Sequence, residues 1–542
     1  MGGLMPLEEK LRHSGIILIG GVPEQLERLD PDGNGLRFIA ELQRAHGPNL
    51  TEMLEERMMR QKELDEGKLP DFNPATKGIR SDNSWKVGEI PHDIIYRWVE
   101  LTGPANTPNW VRGALNSGAN VWMADYEDAL SPFFSNLIAN TFYLRDAITR
   151  SGDFHPINGQ FQLNEQVPTL LTRPRGLHLH EKHMLVDGQP VSATIFDLGM
   201  IHYHLTPEQL ARGQTPAHYI PKLEHQFESR WLARLLTNIK DERKMPRGRP
   251  SVSLLIENIF ATFQAAEILY EMRGYATALN VGRWDQTASF YHAFRNHLDR
   301  GFPDREEVRM TLPFMIAYQK YVLSVCHARG AQPMGGMEAA VPIRRDQANY
   351  ERRMQAVRAD AIREAELGFY GKWSAHPVTV SAIREEFERI MEGRPNQPYK
   401  FGHEPRITQQ QLLEVPAGPK TFEGMVSSAE ESSEYNGNWV RGRGAVAPKG
   451  RMVDLATSEI AWQEIAHRLR HGTRLDDGRR VDQTLVASIL GQAASNMITR
   501  LGHQAFFEQG HALGLQILAD SIRLGPRYVP DIAYQHVGIS PK

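Results

Sequence analysis

Acidic residues stand at the ends of several short apolar runs in the middle of the chain. Five carboxylates share this position: Asp125, Glu127, Asp128, Glu257 and Asp285. Carboxylates brought together repel one another unless a cation neutralises them. Such oxygen ligands suit Mg²⁺, which typically takes one or two carboxylates and keeps waters that a substrate can displace. The pattern therefore indicates a metal site. The alternative is that these carboxylates are solvated and cap the following helices.

An arginine ends another of these runs. The segment 169–176 closes with Arg-Pro-Arg-Gly, in which Arg173 is the first arginine. A guanidinium beside a metal could hold an anion or a developing oxyanion. For an isolated arginine an ordinary salt bridge is the alternative interpretation.

Histidines are concentrated just after this arginine. Five fall between residues 178 and 204: His178, His180, His183, His202 and His204. Their spacings, H-x-H and H-x-x-H, match no closed zinc site with cysteines, because Cys326 is the only cysteine in the chain. The pattern favours surface or hydrogen-bonding histidines over a metal site.

Eight short apolar runs position these residues. They lie at 99–104, 120–128, 169–176, 218–224, 251–258, 277–285, 331–337 and 372–377. Runs that are apolar on both faces and alternate with helical patterns are typical of a buried parallel sheet. Eight of them predict a (β/α)₈ barrel, whose active site forms where the strands end. A doubly wound sheet is the alternative, but no G-x-G-x-x-G motif follows the first strand.

The flanking segments differ from this central region. Residues 1–95 are polar and helical in pattern, and residues 96–385 hold the predicted barrel. Residues 386–420 are rich in Pro, Gly and Gln and indicate a linker. Residues 421–542 carry three long helical patterns and predict a helical C-terminal domain.

Composition excludes several classes of protein. The 542 residues include 62 Lys or Arg and 65 Asp or Glu, so the net charge is −3 and gives no general footprint for nucleic acid. No apolar stretch approaches the roughly 20 residues of a membrane span. Charges occupy the N-terminal segment where a secretory signal is apolar, and one cysteine fits a reducing compartment. We therefore expect a cytoplasmic protein that binds neither nucleic acid nor membrane.

Six motifs occur together in one order along the chain. They are ANVWMADYEDALSP, RPRGLHLHEKH, SLLIEN, ALNVGRWD, PMGGMEAAVP and RMVDLATSEI. Together they resemble the malate synthase family in its shorter A form, from about residue 60 to about residue 470. The resemblance implies a TIM (β/α)₈ barrel with an N-terminal helical clasp and a helical C-terminal domain that caps the barrel mouth.

The resemblance also implies roles for single residues. Arg173 matches the catalytic arginine of the family, and Asp454 matches its catalytic aspartate, which the C-terminal domain delivers. Taken alone, Asp454 would be interpreted as an N-cap of the helix beginning near Ala456. Glu257 and Asp285 match the two Mg²⁺ ligands.

Further positions are assigned to the surroundings of the metal and substrate. Asp125 and Glu127 match acidic residues near the metal. With Gly282 and Trp284 they are assigned either to contacts with the substrate or to the residues that surround the metal ligands. Pro342 is a candidate position on the CoA channel.

The chain departs from the family pattern at a few places. Ala278 and Gln286 replace the common Gly and Tyr around the second metal ligand, and Val453 replaces the common Glu before the catalytic aspartate. Leu455 replaces a small residue after it. These changes leave each implied catalytic group in place.

The reaction that the resemblance implies is that of an acyltransferase. Acetyl-CoA condenses with glyoxylate in a Claisen-type step, and thioester hydrolysis gives malate and CoA, as part of the glyoxylate cycle. A Mg²⁺-dependent hydroxyacyl-CoA lyase of the citrate lyase β-subunit type is the nearest alternative. A non-enzymatic barrel that binds CoA esters or metal is the second. The sequence leaves the oligomeric state open.

Overall fold

The computed structural model describes residues 6–342, 345–398 and 406–541. Its strands, in chain order, are β1 (Ile16–Leu18), β2 (Val99–Gly103), β3 (Val121–Asp125), β4 (Thr169–Arg173), β5 (His180–Val186), β6 (Gln189–Ser192), β7 (Ala217–Ile220), β8 (Ser251–Ile256), β9 (Ala276–Val281), β10 (Gln332–Glu338) and β11 (Gly371–Ser374).

The α-helices of the N-terminal and barrel regions alternate with these strands. They are α1 (Leu7–Leu11), α2 (Glu24–Leu29), α3 (Asn34–Asp65), α4 (Lys77–Ser81), α5 (Pro108–Leu115), α6 (Phe134–Thr149), α7 (Ala193–His204), α8 (Thr206–Ala211), α9 (Gln226–Glu242), α10 (Ile259–Thr262), α11 (Ala265–Glu271), α12 (Arg283–Ala293), α13 (Pro313–Arg329), α14 (Gln347–Leu367) and α15 (Val380–Ile390). The helices that follow are α16 (Gln409–Leu412), α17 (Phe422–Trp439), α18 (Leu455–His471), α19 (Gln483–Leu501), α20 (His503–Glu508), α21 (His511–Leu524) and α22 (Pro530–Ala533).

Eight of the strands close into a parallel barrel. Their order around it is β10-β11-β2-β3-β4-β7-β8-β9, and β10 pairs with both β9 and β11, so this sheet has no free edge. Each of the eight predicted apolar runs overlaps one barrel strand, with the strand ends within one residue of the run or inside it. The barrel prediction is therefore confirmed, and the doubly wound alternative is wrong.

Side-chain alternation decides which residues enter the barrel. Met123 of β3, Leu171 of β4 and Leu255 of β8 belong to one apolar cluster inside it. Successive residues of a strand point to opposite faces, so residues two positions further on point to the same side. Asp125 and Arg173 therefore follow Met123 and Leu171 into the interior at the carboxyl end of the strands.

The N-terminal region wraps the barrel with a long helix. Within the region 1–95, which the sequence predicts to be helical, α2 and α3 are separated at Asp30–Gly33, where Gly33 has a φ of 71°. Arg57 of α3 is fully buried and its Nε donates to Glu228 of α9 at 2.7 Å. This buried ion pair holds the clasp against the barrel.

A small antiparallel sheet lies outside the predicted elements. Strand β5 pairs with β1 on one side and β6 on the other, so the N-terminal segment is joined to the loop that follows β4. No sequence pattern predicts this pairing, because β1 has only three residues.

The C-terminal region is helical, as predicted, and has a core of its own. Buried residues such as Tyr435, Trp439 and Ile465 form a cluster separate from the barrel core. The third predicted pattern is divided into α20 and α21 before Gly510, which has a φ of 82°. The hydroxyl of Tyr435 donates to the carbonyl of Asp128 at 3.0 Å, which joins this domain to the barrel mouth.

The predicted linker 386–420 has more structure than its composition indicates. Helix α15 continues to Ile390, and α16 begins at Gln409. Residues 399–405 of this segment lie outside the described residues. No helix in the described part of the chain has the length and apolar character needed to span a bilayer.

Candidate active site

Arg173 and Asp125 form a fixed pair at the barrel mouth. They are register partners on the neighbouring strands β4 and β3. The Nε and Nη2 atoms of Arg173 donate to the two carboxylate oxygens of Asp125 at 2.7 and 2.5 Å. Its Nη1 lies 3.3 Å from Asp128 and 3.6 Å from Glu127. The salt-bridge interpretation thus accounts for two of the three guanidinium nitrogens, and the third faces the other acids.

Asp125 has no free oxygen for another role. Besides Arg173, its carboxylate accepts hydrogen bonds from the backbone N–H groups of Glu127 at 2.9 Å and Ala129 at 2.8 Å. The loop after β3 and the strand β4 therefore fix its orientation together. In this arrangement Asp125 orients the guanidinium.

A buried lysine that the sequence analysis missed lies among the carboxylates. The Nζ atom of Lys222 is 2.9 Å from Asp128, 3.1 Å from Glu127 and 3.4 Å from Asp285. Its backbone N–H donates to Glu257 at 3.0 Å. Lys222 lies just after β7, as several of the acids lie just after their strands. This position at a strand end is the sequence feature that could have predicted it as a site residue.

The backbone at Lys222 is unusual for a residue with a side chain. Its φ is 53°, in the left-handed region that is uncommon outside glycine. Burial lowers the pKa of the ammonium group, but Asp128, Asp285 and Glu127 raise it well above its ordinary value. Lys222 is therefore a permanent cation of the site.

The two predicted metal ligands come from adjacent elements. Glu257 follows β8, whereas Asp285 lies in the first turn of α12 and not at a strand end. A Cβ on Gly282 would lie 2.9 Å from Oε2 of Glu257, so glycine at this position leaves space for the carboxylate. Both acids line a cavity of about 480 Å³.

Asp454 reaches this cavity from the C-terminal domain. It is the N-cap residue of α18, but its side chain makes no capping hydrogen bond. The preceding segment is attached to the loop after β10, because the N–H of Met452 donates to the carbonyl of Ala339 at 2.8 Å. The N-cap interpretation therefore describes its position in the helix and not the use of its carboxylate.

Negative charge is in excess at the mouth. Six carboxylates gather here around the two cations Arg173 and Lys222: Asp125, Glu127, Asp128, Glu257, Asp285 and Asp454. Asp125, Glu127, Asp128 and Glu257 are buried, and Asp285 and Asp454 are partly buried where they line the cavity. Four of the six are thus closed off from solvent, unlike the carboxylates of the solvated alternative.

Repulsion among these carboxylates contributes to the raised pKa values of two of them, Glu257 and Asp454. Burial, with repulsion from Asp285, raises the pKa of Glu257 to about 8. Burial, with repulsion from Asp128 and Asp285, raises the pKa of Asp454 to about 7. Burial also raises the pKa of Asp128, but Lys222 and Arg173 outweigh it and lower that pKa below its usual value. A further cation would relieve Glu257 and Asp454.

The donor set fits a cation that keeps waters. Among the described residues, no three His, Cys, Asp or Glu side chains converge as a ready metal cage. Glu257 and Asp285 provide two carboxylates on one cavity wall, and two are what Mg²⁺ typically takes from a protein. Both oxygens of Glu127 are buried without a hydrogen bond, although Lys222 lies nearby.

The other predicted site residues are distributed unevenly. Gly282 and Trp284 line the cavity with Arg173 and Asp454. Glu127 lies behind this group and lines a separate small cavity of about 20 Å³. Pro342 is buried two residues beyond Ala340, which lines the main cavity. Its assignment to the CoA channel stays a prediction.

The histidines between 178 and 204 form no shared site in the described structure. His183 contacts Glu181 at 2.7 Å, and His202 contacts Thr206 at 2.9 Å. The ring of His178 stacks on Tyr528 with centroids 3.9 Å apart. For these histidines the structure agrees with the hydrogen-bonding and packing interpretation.

The departures from the family pattern fill protein interiors. Val453 and Leu455 are both buried in the core of the C-terminal domain on either side of Asp454. Ala278 is buried in β9, and Gln286 is buried with its Oε1 3.3 Å from the hydroxyl of Thr262. None of the four changes replaces a residue that is predicted to be catalytic or to bind the metal.

Comparison with known proteins gives three matches in chain order. Family models described as malate synthase N-terminal domain, TIM barrel domain and C-terminal match residues 34–78, 169–415 and 419–523. A malate synthase of Myxococcus xanthus is 38% identical over 471 residues, which cover 87% of this chain and 86% of the relative. One from Oryza sativa is 37% identical over 501 residues, with coverages of 89% and 88%.

A solved structure also aligns with the chain. A Haloferax volcanii malate synthase, in a pyruvate and acetyl-CoA ternary complex, covers 79% of this chain and 99% of its own length. The sequence identity is 18% and the TM-score is 0.47.

Proposed function

The chain belongs to the malate synthase family, and from this premise we propose which of its residues carry out the reaction. The resemblance read from the motifs is confirmed. The chain is an acyltransferase that joins acetyl-CoA to glyoxylate and releases malate and CoA. The lyase and binding-protein alternatives are therefore not needed.

We assign the removal of a proton from the thioester methyl group to Asp454. A carbon acid this weak needs a base held in position, and a base is most effective when its pKa is near the working pH. The raised pKa of Asp454, about 7, meets this requirement. In this step the C–H bond breaks, the proton passes to the Asp454 carboxylate, and the electron pair moves onto the thioester oxygen as an enolate.

Arg173 is proposed to stabilise that enolate. Its Nη1 remains directed into the mouth while Asp125 holds the other two nitrogens. A fixed donor in a buried site stabilises developing negative charge without reorganisation during the reaction. The enolate carbon then forms a bond to the aldehyde carbon of glyoxylate, the π electrons of the aldehyde move onto its oxygen, and that oxygen takes up a proton to become the hydroxyl of malate.

Glu257 and Asp285 are proposed to hold Mg²⁺. When bound, this cation supplies Lewis acidity that polarises the aldehyde carbonyl of glyoxylate. Lys222 keeps Asp128 and Asp285 in place through contacts of 2.9 and 3.4 Å, so it positions the carboxylates around the cation. Gly282 leaves the space in which the carboxylate of Glu257 turns toward the cavity.

The same cavity offers positive charge for the CoA phosphates. Four arginines line it in addition to Arg173: Arg283, Arg309, Arg353 and Arg451. Guanidinium groups suit phosphates because their forked donors match the oxygen pairs. With the thioester seated, the C-terminal domain restricts water until the new C–C bond exists. Hydrolysis then breaks the C–S bond and releases CoA and malate.

One observation supports this assignment most strongly. Arg173, Glu257, Asp285 and Asp454 come from four separate segments and line a single cavity. A merely structural set of charges gives no reason for a base, an oxyanion partner and two metal ligands to meet.

We also propose a cytoplasmic location. Cys326 is the only cysteine of the sequence, so the chain has no internal disulfide, which fits a reducing compartment.

The test is release of free thiol from acetyl-CoA, with glyoxylate and Mg²⁺ present and an EDTA control. We expect release only with both glyoxylate and metal. Asp454→Asn should lower kcat about 10³-fold and leave glyoxylate binding within about twofold. Asp482→Asn, at the exposed N-cap of α19, is the matched control and should keep full activity.

Two outcomes would contradict the assignment. Loss of glyoxylate binding together with turnover in Asp454→Asn would remove the base role. Cleavage of malyl-CoA to glyoxylate with no thiol release from acetyl-CoA would instead favour the lyase reaction.

A further inference from the structure

A second cavity lies where the three regions of the chain meet. It has a volume of about 610 Å³ and is bounded by α3, α12, α18, α21 and residues 525–527. We call it the interdomain cavity. Among the described residues it shares no lining residue with the reaction cavity. No step of the proposed reaction uses it.

Positive charge dominates its walls. Five cationic side chains line it: Lys62, Arg295, Arg470, Arg523 and Arg527. Asp65 is the one carboxylate of the lining in the described structure, and Arg295 already pairs with it at 2.9 Å. Carboxylates outside the lining pair with three of the other cations: Lys62 with Glu66 at 4.0 Å, Arg523 with Asp520 at 2.9 Å and Arg527 with Glu224 at 2.6 Å. The positive charge left over is that of Arg470, and unbalanced positive charge in a cavity attracts anions.

Arg470 has unused capacity to bind an anion. Its Nη1 donates to the side chain of Asn296 at 2.8 Å and more weakly to the carbonyl of Arg295. No carboxylate of the described residues lies within 4 Å of this guanidinium group. Its charge is therefore not balanced by the protein.

Two neighbouring polar atoms also lack partners. Gln463 is 5% exposed, and its Oε1 makes no hydrogen bond in the described structure. The Nε of Arg527 has no partner either, although its Nη2 donates to Glu224 at 2.6 Å. Both atoms are closed off from solvent, so the polar groups behind this wall are incompletely paired by the described protein. The atoms that a ligand in the cavity would reach are the exposed guanidinium nitrogens of Arg470 and Arg523.

The rest of the lining is apolar. Met58 and Leu524 are large hydrophobic residues that are 62% and 58% exposed at this cavity. Trp462 and Ile522 extend the same surface inward. An inorganic ion would leave this apolar surface uncovered, whereas an organic anion with an apolar body would cover it.

We propose that the interdomain cavity binds an organic anion of nucleotide size. The ligand has an apolar or aromatic body that lies against Trp462 and Leu524. It carries at least two negative charges, as phosphate or carboxylate groups, that contact Arg470, Arg523 and Arg527. The volume lies within the range of roughly 300–1,000 Å³ typical of small-molecule sites.

The test is calorimetric titration of the full chain, without substrates or metal, at low ionic strength where charge attraction is least screened. Two probes are titrated separately: ATP carries phosphate groups, and suberate, an eight-carbon dicarboxylate, carries carboxylate groups. We expect at least one of the two probes to bind to the protein. Arg470→Gln should weaken this binding by about tenfold or more, since hydrogen bonds to charged groups contribute this much.

The controls locate the bound probe. Arg474→Gln, on an exposed arginine just beyond α18, should leave binding unchanged. Arg523→Gln, whose side chain is 67% exposed and which should fold normally, should weaken binding by a smaller factor. Because no substrate is present, failure here is independent of the reaction proposed above.

Two results would overturn the proposal. One is the absence of heat for both probes up to about 10 mM, well above the range of specific small-ligand binding. The other is binding that is equally strong in the wild type, Arg470→Gln and Arg523→Gln. That result would place the probe elsewhere, with ATP most simply in the reaction cavity.

Discussion

Charged side chains form two groups, one inside the barrel and one at its mouth, and the two groups differ in their balance of charge. The floor cluster (Arg97, Glu100, Tyr219 and Trp373) pairs one acid with one base. The carboxylate of Glu100 accepts hydrogen bonds from Arg97, from the hydroxyl of Tyr219 and from Trp373 Nε1, the last at 2.9 Å. The mouth cluster holds six carboxylates and only two cations. Trp373 separates the two groups, with Arg173 5.6 Å from its ring centre.

The difference shows how the balance of charge within a buried group affects the free energy of the folded protein. A buried ion pair with its hydrogen bonds satisfied holds strands together, and removal of one partner leaves an uncompensated charge. Unbalanced carboxylates raise the free energy of the folded protein until a cation and substrates arrive. The floor therefore serves stability, and the mouth gives up stability for chemistry.

The largest effect is expected at the floor. Arg97→Met leaves Glu100 buried without its cation, which should lower the free energy of unfolding by roughly 3–5 kcal/mol. Thermal and urea unfolding measure this loss, with exposed Arg234→Met on α9 as the control. The kcat of the folded fraction should stay within about threefold of wild type. A large loss of kcat under folding conditions would give the floor a role in catalysis.

The next effect is expected at the metal ligands. Glu257→Gln removes one carboxylate, so the Mg²⁺ concentration for half-maximal activity should rise about tenfold or more. At pH 8.5 the metal-free variant should melt at a higher temperature than wild type, because one repelling charge is gone. Glu242→Gln, exposed at the end of α9, should change neither quantity. An unchanged metal titration would remove Glu257 from the ligand set.

A smaller effect on the melting temperature should distinguish the contribution of the Lys222 cation from that of Mg²⁺. Lys222→Met takes away a cation that contacts Asp128, Glu127 and Asp285. The metal-free protein should then melt lower, and added Mg²⁺ should raise the melting temperature by more than it does in wild type, because the acids attract it more strongly. Lys240→Met on α9 is the control. A Mg²⁺-induced shift no larger than that of wild type would contradict the positioning role.

The smallest change is expected in the pH dependence. Asp454 acts as a base only when unprotonated, and burial with repulsion from Asp128 and Asp285 raises its pKa to about 7. At saturating Mg²⁺, kcat should be level above this pKa and fall tenfold per pH unit well below it. Bound Mg²⁺ should neutralise part of the charge of Asp285 and so lower the pKa of Asp454. The fall in kcat should therefore occur at lower pH as metal occupancy rises. A kcat that stays constant down to pH 5 would contradict the assignment.

The sequence predicted the barrel and most of the mouth for a physical reason. Buried parallel strands must be apolar on both faces, so all eight were visible as runs, and charged residues that end them stand out. Asp285 was found, although it lies in the first turn of α12 and not at a strand end.

Residues whose roles depend on distant segments were harder to predict. Lys222 follows its strand as the acids follow theirs, but the carboxylates that surround it come from three other segments of the chain. Asp454 was identified only through resemblance, because an aspartate before a helix ordinarily suggests a cap. The antiparallel sheet joins segments more than 160 residues apart, as in the pairing of Ile16 with Val186.

The position of Asp454 beyond the barrel has a consequence for biosynthesis. The last barrel strand ends at Ser374, so the residues assigned to the metal and to the oxyanion precede the base on the ribosome. An unfinished chain could fold its barrel and bind glyoxylate, but it would have no group to take the proton from acetyl-CoA. Turnover therefore begins only after synthesis has passed α18. If Asp454 is the base, as we propose, a chain that terminates before residue 454 would be inert and would not consume acetyl-CoA.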